Sequence, residues 1–282
     1  MDVVGIGENS FDVVVRIPAP PVAGGKQPIL SRQTMPGGQV ATTLWTCAAL
    51  GLRTAYLGAF GDDDAGRQVR EALAARGVDL SASVTRRAPN RSAMILVDEH
   101  TGGRTVFHQH DAALRLGRED LPADLVEGAR VVHVDATYPE LAVLAASRAR
   151  AAGRIVTTDV DGDDEVARAL VLGATHPVMA EHVPLAMTGE PDLETALRAL
   201  SLPHHAMLCV TLGDRGSAML AGDTFYIVPA VRVAVVDTTG AGDVFRGAFI
   251  HALLRGDAPE HILRLANATA AMSCTRDGAI NH

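Results

Sequence analysis

The second half of the chain alternates short apolar runs with helix-like stretches, and this alternation constrains the fold most strongly. Strand-like segments at 131–134, 154–159, 175–179 and 207–212 are separated by helix-like segments, of which the clearest covers 139–152. A strand that leads through a helix to the next strand places the two strands parallel, with the helix on one face of the sheet. The pattern predicts an α/β fold with a doubly wound, mostly parallel sheet flanked by helices.

The first half of the chain departs from this pattern. Extended runs at 12–17 and 28–33 surround a stretch rich in proline and glycine, and runs at 93–97 and 104–108 flank a loop. Prolines beside short strands are typical of edge strands or of a projecting ribbon. We therefore predict a small β lid added to an α/β body. The lid is assigned to 13–35 and 86–110, and the body to 1–12, 36–85 and 111–282.

Composition and charge favour a cytoplasmic protein with small-molecule partners. The net charge is −8 and no basic cluster stands out, which disfavours nucleic acid because phosphate backbones require clustered Lys and Arg. No apolar run reaches the ~18 residues of a membrane span. The first residues, MDVVGIGENS, lack the features of a signal peptide. Cys47, Cys209 and Cys274 lie far apart in apolar surroundings, which predicts buried thiols in a reducing compartment.

A glycine-rich turn at 235–245, VVDTTGAGDVF, precedes a long helical pattern. With little or no side chain at Gly240, Ala241 and Gly242, main-chain N–H groups can converge at the helix N-terminus, where the helix dipole favours negative charge. A carboxylate at Asp243 could take the proton of a hydroxyl that attacks a phosphoryl group. The alternative is that Asp243 caps the helix and the glycines form a tight turn. The chain has no GxxxxGK[ST], which argues against a P-loop kinase.

Three segments resemble the ribokinase-like (PfkB) carbohydrate kinases. DTTGAGDVFRGAFIHALL at 237–254 resembles their C-terminal signature, GGQVA at 37–41 with the stretch at 55–80 resembles the N-terminal one, and VTLGDRG at 210–216 is similar to a nucleotide-side motif. Their order and spacing match from end to end. The resemblance implies a ribokinase-like fold and ATP-dependent phosphorylation of a hydroxyl group of a sugar or sugar derivative. It makes Asp243 the general base and 240–243 the anion hole.

The resemblance also implies a substrate pocket. Asp12 matches the aspartate that holds sugar hydroxyls, and a carboxylate can accept hydrogen bonds from two of them. Gly37 and Gly38 match paired glycines that let the backbone approach the sugar. Thr42 stands where an Asn is usual, so the pocket departs from that of true ribokinases. Arg104, in the predicted lid hairpin, is assigned to substrate binding.

On the nucleotide side, the resemblance places Thr211 and Gly213 near the phosphates and ribose of ATP, and Asn267 beside the adenine. The family's NxxE motif, which organises the water molecules of Mg²⁺, is altered in this chain. Ala180 stands in place of the Asn. Glu181 could instead hold a Mg²⁺-bound water, because Mg²⁺ keeps several waters; the alternative is an ordinary glutamate at a helix N-terminus.

Two further features follow from the same signatures. A monovalent cation site, suited to K⁺, is implied beside the anion hole. Its residues are Asp237, Thr239, Ser273, Arg276 and Gly278. Arg246 replaces the Asn that usually follows GDxF. It either shares the face of Asp243, where it could touch phosphate or an anionic substrate, or lies on the outer surface.

The predicted lid also bears on partners. A projecting hairpin with exposed apolar residues requires a cover, so we expect a homodimer through the lid. Two other functions stay open. A nucleoside kinase of the same fold would favour aromatic residues to stack on a base, and Phe11 and Phe107 are the only candidates near the lid. A non-catalytic sugar or nucleotide sensor is the other.

Overall fold

The computed structural model describes residues 1–101, 103–278 and 280. The strands, in chain order, are β1 (Val3–Ile6), β2 (Ser10–Ile17), β3 (Ser31–Gly37), β4 (Thr54–Leu57), β5 (Ala59–Gly61), β6 (Val84–Arg86), β7 (Ser92–Asp98), β8 (Arg104–Gln109), β9 (Val131–Val134), β10 (Ile155–Thr158), β11 (Val178–Ala180), β12 (Met207–Thr211), β13 (Ser217–Ala221) and β14 (Thr224–Val228). The helices are α1 (Gln39–Ala49), α2 (Asp64–Ala75), α3 (Pro139–Ala151), α4 (Glu165–Gly173), α5 (His182–Thr188), α6 (Leu193–Leu200), α7 (Ala241–Arg255) and α8 (Pro259–Ser273).

A mostly parallel sheet lies at the centre of the molecule. Its first half has the order β10-β9-β1-β4, with every pair parallel. Single bridges, Thr157 with His176 and Val160 with Met179, lead from β10 toward β11. The second half has the order β11-β12-β13-β14, in which the first pair is parallel and the other two are antiparallel. The predicted doubly wound, mostly parallel sheet is confirmed.

Helices cover both faces of this sheet because its strands are apolar on both sides. Val4 and Ile6 of β1 belong to one core cluster, which includes apolar residues of α3, α4, α5 and α6. Their neighbour Val3 points to the other face, into a cluster with α1, α2 and Ile250 of α7. Strands buried on both faces are typical of parallel sheets that are sandwiched between helices.

A separate small sheet has the order β3-β2-β7-β8, and we call it the small sheet. The predicted hairpin is present as the antiparallel pair β7–β8, in which Ile95 faces Val106. The strand expected at 28–33 lies instead at Ser31–Gly37. Pairing with β2 starts where Ser31 meets Arg16, just after Leu30 donates its N–H to the Arg16 carbonyl at 2.9 Å. β6, at the start of the segment assigned to the lid, pairs with β5 rather than with the small sheet.

Helices α1 and α7 lie side by side and run in the same direction. The hydroxyl of Thr43 donates to the carbonyl of Asp243 at 3.2 Å, and one turn later the thiol of Cys47 donates to the carbonyl of Gly247 at 3.6 Å. A side chain at Gly247 would come within 2.6 Å of Thr46 Cβ, so glycine permits this close approach. The two helix N-termini therefore open on the same side of the molecule.

Two smaller expectations concern thiols and membranes. The three cysteines, Cys47, Cys209 and Cys274, are buried free thiols, as predicted. Among the helices of the described residues, none combines the length and the apolar character needed to cross a lipid bilayer.

Candidate active site

Acidic residues follow three neighbouring strands at the carboxyl edge of the central sheet. Ile6, Val134 and Thr158 are paired across β1, β9 and β10, and each strand is followed by a carboxylate within two residues. These carboxylates are Glu8, Asp135 and Asp159. Ligands of open α/β sheets bind at this edge. Sequence reasoning missed all three, although an acidic residue directly after an apolar strand, as in VVHVD and VTTD, was the available signal.

The N-terminus of α7 carries main-chain N–H groups without partners. Gly240 caps the helix with φ 71°, a left-handed conformation that favours glycine. Within the described part of the chain, the N–H groups of Gly240, Gly242 and Asp243 find no acceptor, whereas Ala241 donates weakly to Thr238 at 3.3 Å. The unpaired groups and the helix dipole together favour an anion at this point.

Asp243 lies in the first turn of α7 and lines a cavity of about 370 Å³. The same cavity is lined by Asp12 and Gly38, so the structure brings the predicted base and the predicted substrate clamp to one space. Burial raises the pKa of Asp243 well above its usual range, and the charge of Asp159 raises it further. Arg246 acts in the opposite direction. The pKa of Asp243 therefore depends on the opposing charges of Asp159 and Arg246.

Arg246 is not a surface residue. Its side chain is buried, and its Nη2 lies 2.6 Å from Oδ1 of Asp159. Of the two placements considered from the sequence, the structure selects the face shared with Asp243 and rules out the outer surface. The guanidinium is already engaged by a carboxylate.

Asp12, on β2, is held inside the cavity by its neighbours. Ser10 donates its hydroxyl to Oδ1 at 2.5 Å, and burial raises the pKa of the Asp12 carboxyl. Any side chain at Gly37 would come within 2.4 Å of Asp12 Oδ2. Gly38 has φ 97°, and a Cβ there would lie 2.5 Å from Asn9 Cα. Both glycines are thus required by the local geometry.

A second and larger cavity, of about 1210 Å³, adjoins the first. The two share wall residues, among them Glu8, Arg91 and the rings of His108 and His110, which stack at 5.9 Å. Arg91 donates to the hydroxyl of Tyr138 at 3.3 Å. The two cavities together form an extended cleft between the carboxyl edge of the sheet and the small sheet.

Glu8 and Asp135 form an acidic pair beside this cleft. Asp135 accepts from the N–H of Glu8 at 2.7 Å and from that of Thr137 at 2.8 Å. Burial raises the pKa of Asp135 to about 6. Burial, with the charge of Asp135, raises the pKa of Glu8 to about 7. Glu8 therefore changes its charge near neutral pH.

Two predicted substrate residues are not brought to the cleft. Thr42 is 1% exposed within α1 and is not among the residues that line either cavity. Arg104 begins β8 opposite Val97, whereas Gln109 at the other end of β8 lines the smaller cavity. Five residues of extended chain span roughly 17 Å. Neither position could be inferred from the sequence, because strand register and helix rotation decide both.

Three of the predicted nucleotide-side residues, Thr211, Gly213 and Glu181, lie just after or at the ends of β11 and β12. The hydroxyl of Thr211 donates to the carbonyl of Met179 at 3.4 Å, and Gly213 adopts φ 61° where a short helical turn begins. Glu181 forms an ion pair with Arg215. Asn267 lies on α8, buried, and donates to the carbonyls of Val228 and Pro229 at 3.0 and 3.2 Å. It therefore fixes the chain that leaves β14.

The residues of the predicted cation site lie in two touching segments. The carboxylate of Asp237 accepts from the N–H and hydroxyl of Thr239, at 2.9 and 2.8 Å, and from the N–H of Gly278 at 3.0 Å. The hydroxyl of Ser273 donates to the carbonyl of Ala270 at 2.8 Å, and the N–H of Arg276 donates to the Ser273 carbonyl at 3.3 Å. Asp237 thus ties the loop before α7 to the segment after α8.

Comparison with known proteins places this geometry in a family. The pfkB family carbohydrate kinase model matches residues 3–282. An ATP-dependent ribose-1-phosphate kinase of Halopiger xanaduensis is 29% identical over 98% of this chain and 93% of its own length. A nucleoside kinase of Methanothermobacter thermautotrophicus is 25% identical over 98% of this chain and 90% of its own length.

The fold comparison agrees with the sequence comparison. The structure of Arabidopsis thaliana ribokinase complexed with ribose and ATP superposes with a TM-score of 0.84 at 26% identity, over 99% of this chain and 94% of that one. The ribokinase-like fold predicted from the sequence is confirmed. The chain belongs to the pfkB family of carbohydrate kinases, as its two signature segments predicted.

Proposed function

We propose that the protein transfers the terminal phosphoryl group of ATP to a hydroxyl group of a sugar or sugar derivative, with Asp243 as general base. One observation carries this proposal: Asp243 lines the same cavity as Asp12 and lies at the helix N-terminus with the unpaired N–H groups of Gly240, Gly242 and Asp243. An acceptor held by Asp12 would thus meet the phosphate at the N-terminus of α7. Negative charge that develops on the transferred group is stabilised there by donors that are already in place.

The bond changes of this reaction assign a task to each group. The acceptor oxygen forms a bond to the terminal phosphorus, and the bond from that phosphorus to the oxygen bridging it to the next phosphate breaks. ADP leaves with that electron pair, and the hydroxyl proton passes to Asp243. The N–H groups at 240–243 form the anion hole, and Asp12 orients the acceptor, with Gly37 and Gly38 leaving space for it.

A nucleoside acceptor is the second candidate, and the size of the cleft favours it. The larger cavity adds about 1210 Å³ beside the smaller one, and the stacked rings of His108 and His110 line both. A flat base could rest on such rings. Assays with sugars, sugar phosphates and nucleosides as acceptors separate the two candidates.

For the nucleotide, we propose that ATP binds as its Mg²⁺ complex along the ends of β11 and β12. Thr211 and Gly213 would approach its phosphates and ribose. Asn267 supports the adenine side by fixing the chain after β14. Glu181 is exposed enough to hold a water molecule of Mg²⁺, and its ion pair with Arg215 keeps it at this edge.

A K⁺ ion is proposed beside the anion hole. The Asp237 carboxylate already accepts three hydrogen bonds, so main-chain carbonyl oxygens would supply most of the ligands. Thr239, Ser273, Arg276 and Gly278 lie in the two segments that could provide them. Dependence of activity on K⁺ rather than Na⁺ tests this part.

The small sheet is proposed as a lid and as a dimer contact. Met94 and Phe107 are directly paired across β7 and β8 and are 48% and 57% exposed. Their face points away from Val106, which lines the cavity. A second copy of the chain would cover them. We further propose a cytoplasmic enzyme without nucleic-acid or membrane partners, because its cysteines are free thiols and its net charge is −8.

Asp243→Asn tests the proposed function. We expect kcat to fall by roughly 10³-fold or more, since the general base is removed while its shape is kept. ATP affinity, measured by calorimetry, should stay within about threefold. Asp64→Asn is the control, because Asp64 also lies in the first turn of a helix but is exposed at the surface. Near-normal turnover of Asp243→Asn would refute the assignment, and the absence of phosphoryl transfer by wild-type protein to any acceptor would favour the sensor.

A further inference from the structure

A buried pair of opposite charges lies directly behind the proposed base. Arg246 is 5% exposed and Asp159 is 2% exposed, and 2.6 Å separates Nη2 of the first from Oδ1 of the second. Asp159 directly follows β10, where its N–H donates to the carbonyl of Val134 at 2.9 Å. Arg246 stands one turn after Asp243 on α7. The pair therefore joins the helix of the base to the edge of the sheet.

The Arg246 side chain turns back toward the start of α7. A Cβ at Gly242 would lie 2.9 Å from Arg246 Nη1, and helical side chains do lean toward the N-terminus. Among the described residues, Nε of Arg246 and Oδ2 of Asp159 are buried without a hydrogen-bond partner. A purely structural ion pair would commonly use both oxygens in a bidentate contact. This pair leaves one oxygen of Asp159 uncommitted.

Burial raises the pKa of both Asp159 and Asp243, and the charge of Asp159 raises that of Asp243 further. Two adjacent carboxylates cannot both ionise without a large penalty, unless a cation compensates. Arg246 lowers the pKa of both groups. The positive charge of Arg246 therefore offsets part of the rise in both pKa values that burial causes.

The other groups around this cluster do not supply that compensation. Glu8 raises the pKa of Asp243, and Asp161 raises that of Asp159. His133, on β9, is neutral near pH 7 because burial and Arg246 lower its pKa to about 3. Cys209, on β12, has its pKa raised to about 12 by burial. Arg91 and the rings of His108 and His110 lie on the cavity wall with Asp243.

We propose that Arg246, acting through the carboxylate of Asp159, is a positioning residue that holds Asp243 at the acceptor hydroxyl and favours its ionised form. This inference rests on the proposed function, since it takes Asp243 as the acceptor of the hydroxyl proton. With both carboxyls ionised, the three side chains carry a net charge of −1. Transfer of the hydroxyl proton to Asp243 brings them to zero, and the proton passes to water after the product leaves.

The test is the pH dependence of kcat/KM in three variants. Arg246→Asn removes the cation, so the acidic limb should move up by about one pH unit or more, with a loss of roughly tenfold or more at pH 7 that higher pH partly recovers. Arg246→Lys should restore part of the shift. Asp159→Asn removes the neighbouring negative charge, so its limb should move down.

Arg255→Asn is the matched control, because Arg255 lies on the same helix but is exposed; its profile should equal that of wild type. An equal loss at every pH in Arg246→Asn, with an unmoved limb, would mean a structural role and overturns the proposal. A raised KM for ATP without a shifted limb would mean that Arg246 contacts phosphate, which overturns it as well. If Arg246→Asn does not fold by circular dichroism, Arg246→Gln, which keeps more of the side chain and also lacks the charge, replaces it in the same test.

A second measurement separates this inference from the proposed function. Carbon-13 NMR of carboxyl-labelled aspartate, recorded without substrate, should show a resonance that titrates above the usual range and disappears in Asp243→Asn. Arg246→Asn should move that titration upward. If wild-type protein shows this titration but phosphorylates no acceptor, the proposed function fails and the charge coupling stands. If Arg246→Asn leaves the titration unmoved, the inference fails whatever the activity.

Discussion

The N-terminus of α7 and the small sheet line one cleft but are built in opposite ways. Around α7, Asp159 and Arg246 are almost fully buried, and glycines admit close contacts with both α1 and the Arg246 side chain. In the small sheet, every residue of β8 is exposed. Buried, closely packed surroundings hold charged groups in fixed positions. An exposed strand leaves room for an acceptor to enter. The proposed catalytic residue Asp243 thus lies beside a buried charge pair, whereas β8 of the small sheet is exposed.

Asp12 is the sharpest test of this contrast, because it is a buried carboxylate within the small sheet. We expect Asp12→Asn to lower kcat/KM for the acceptor by roughly 100-fold, since one oxygen acceptor becomes a donor and a hydrogen-bonded clamp is lost. The KM for ATP should hardly change. Asp98→Asn, at the distant end of β7, is the control. An Asp12→Asn enzyme with unchanged acceptor kinetics would mean that the small sheet contributes no charge to binding.

Glu181 should show a smaller effect. Its ion pair with Arg215 lies at the exposed edge of the sheet, with side-chain exposures of 39% and 62%, and such pairs contribute little to stability. If Glu181 only orients a water molecule of Mg²⁺, Glu181→Gln should lower kcat by roughly tenfold and raise the Mg²⁺ concentration needed for half-maximal rate. A titration of rate against Mg²⁺ measures this. Identical curves for the variant and the wild-type protein would show that Glu181 has no role in Mg²⁺ binding.

Glu8 tests how burial of a carboxyl group affects stability, independently of catalysis. Its pKa in the folded protein is raised to about 7, so the folded state binds more protons than the unfolded state between the ordinary carboxyl range and neutral pH. Stability from this group therefore rises as pH falls from about 8 toward 5. Glu8→Gln should flatten the dependence of Tm on pH in this window. Glu140→Gln, on the exposed rim of the cleft, should leave it as in wild type, and equal slopes in all three proteins would contradict the assignment.

The smallest effect on turnover is expected on the outer face of the small sheet. Phe107→Ser should convert a dimer to a monomer in sedimentation experiments, because it removes the larger of two exposed apolar side chains. kcat should stay within about twofold. Val143→Ser removes an apolar side chain on α3, 38% exposed, and should not alter the association state. A wild-type protein that sediments as a monomer would exclude the dimer.

Much of the fold could be predicted because its signals are local. The strand-like segments at 131–134 and 207–212 lie at Val131–Val134 and Met207–Thr211, and the helix predicted at 139–152 lies at Pro139–Ala151. Strand positions failed mainly in the small sheet, where β3 was expected at 28–33 and lies at Ser31–Gly37. There, pairing depends on partners far away in sequence rather than on periodicity.

The sequence predicted residues of the cleft only where they belong to a motif. Asp243 and Asp12 line the cleft, whereas Arg104 lies at the far end of β8 and Thr42 is buried within α1. The carboxylates of Asp135 and Asp159 were missed because each stands alone in sequence. Parallel register brings them together, and no single segment shows it.

The most direct test of the central claim is a crystal structure with an acceptor and a non-hydrolysable ATP analogue bound. The account predicts that the reacting hydroxyl lies within hydrogen-bond distance of an Asp243 carboxylate oxygen, with the terminal phosphate against the N–H groups of Gly240, Gly242 and Asp243. An acceptor bound elsewhere, or a terminal phosphate remote from the start of α7, would contradict it.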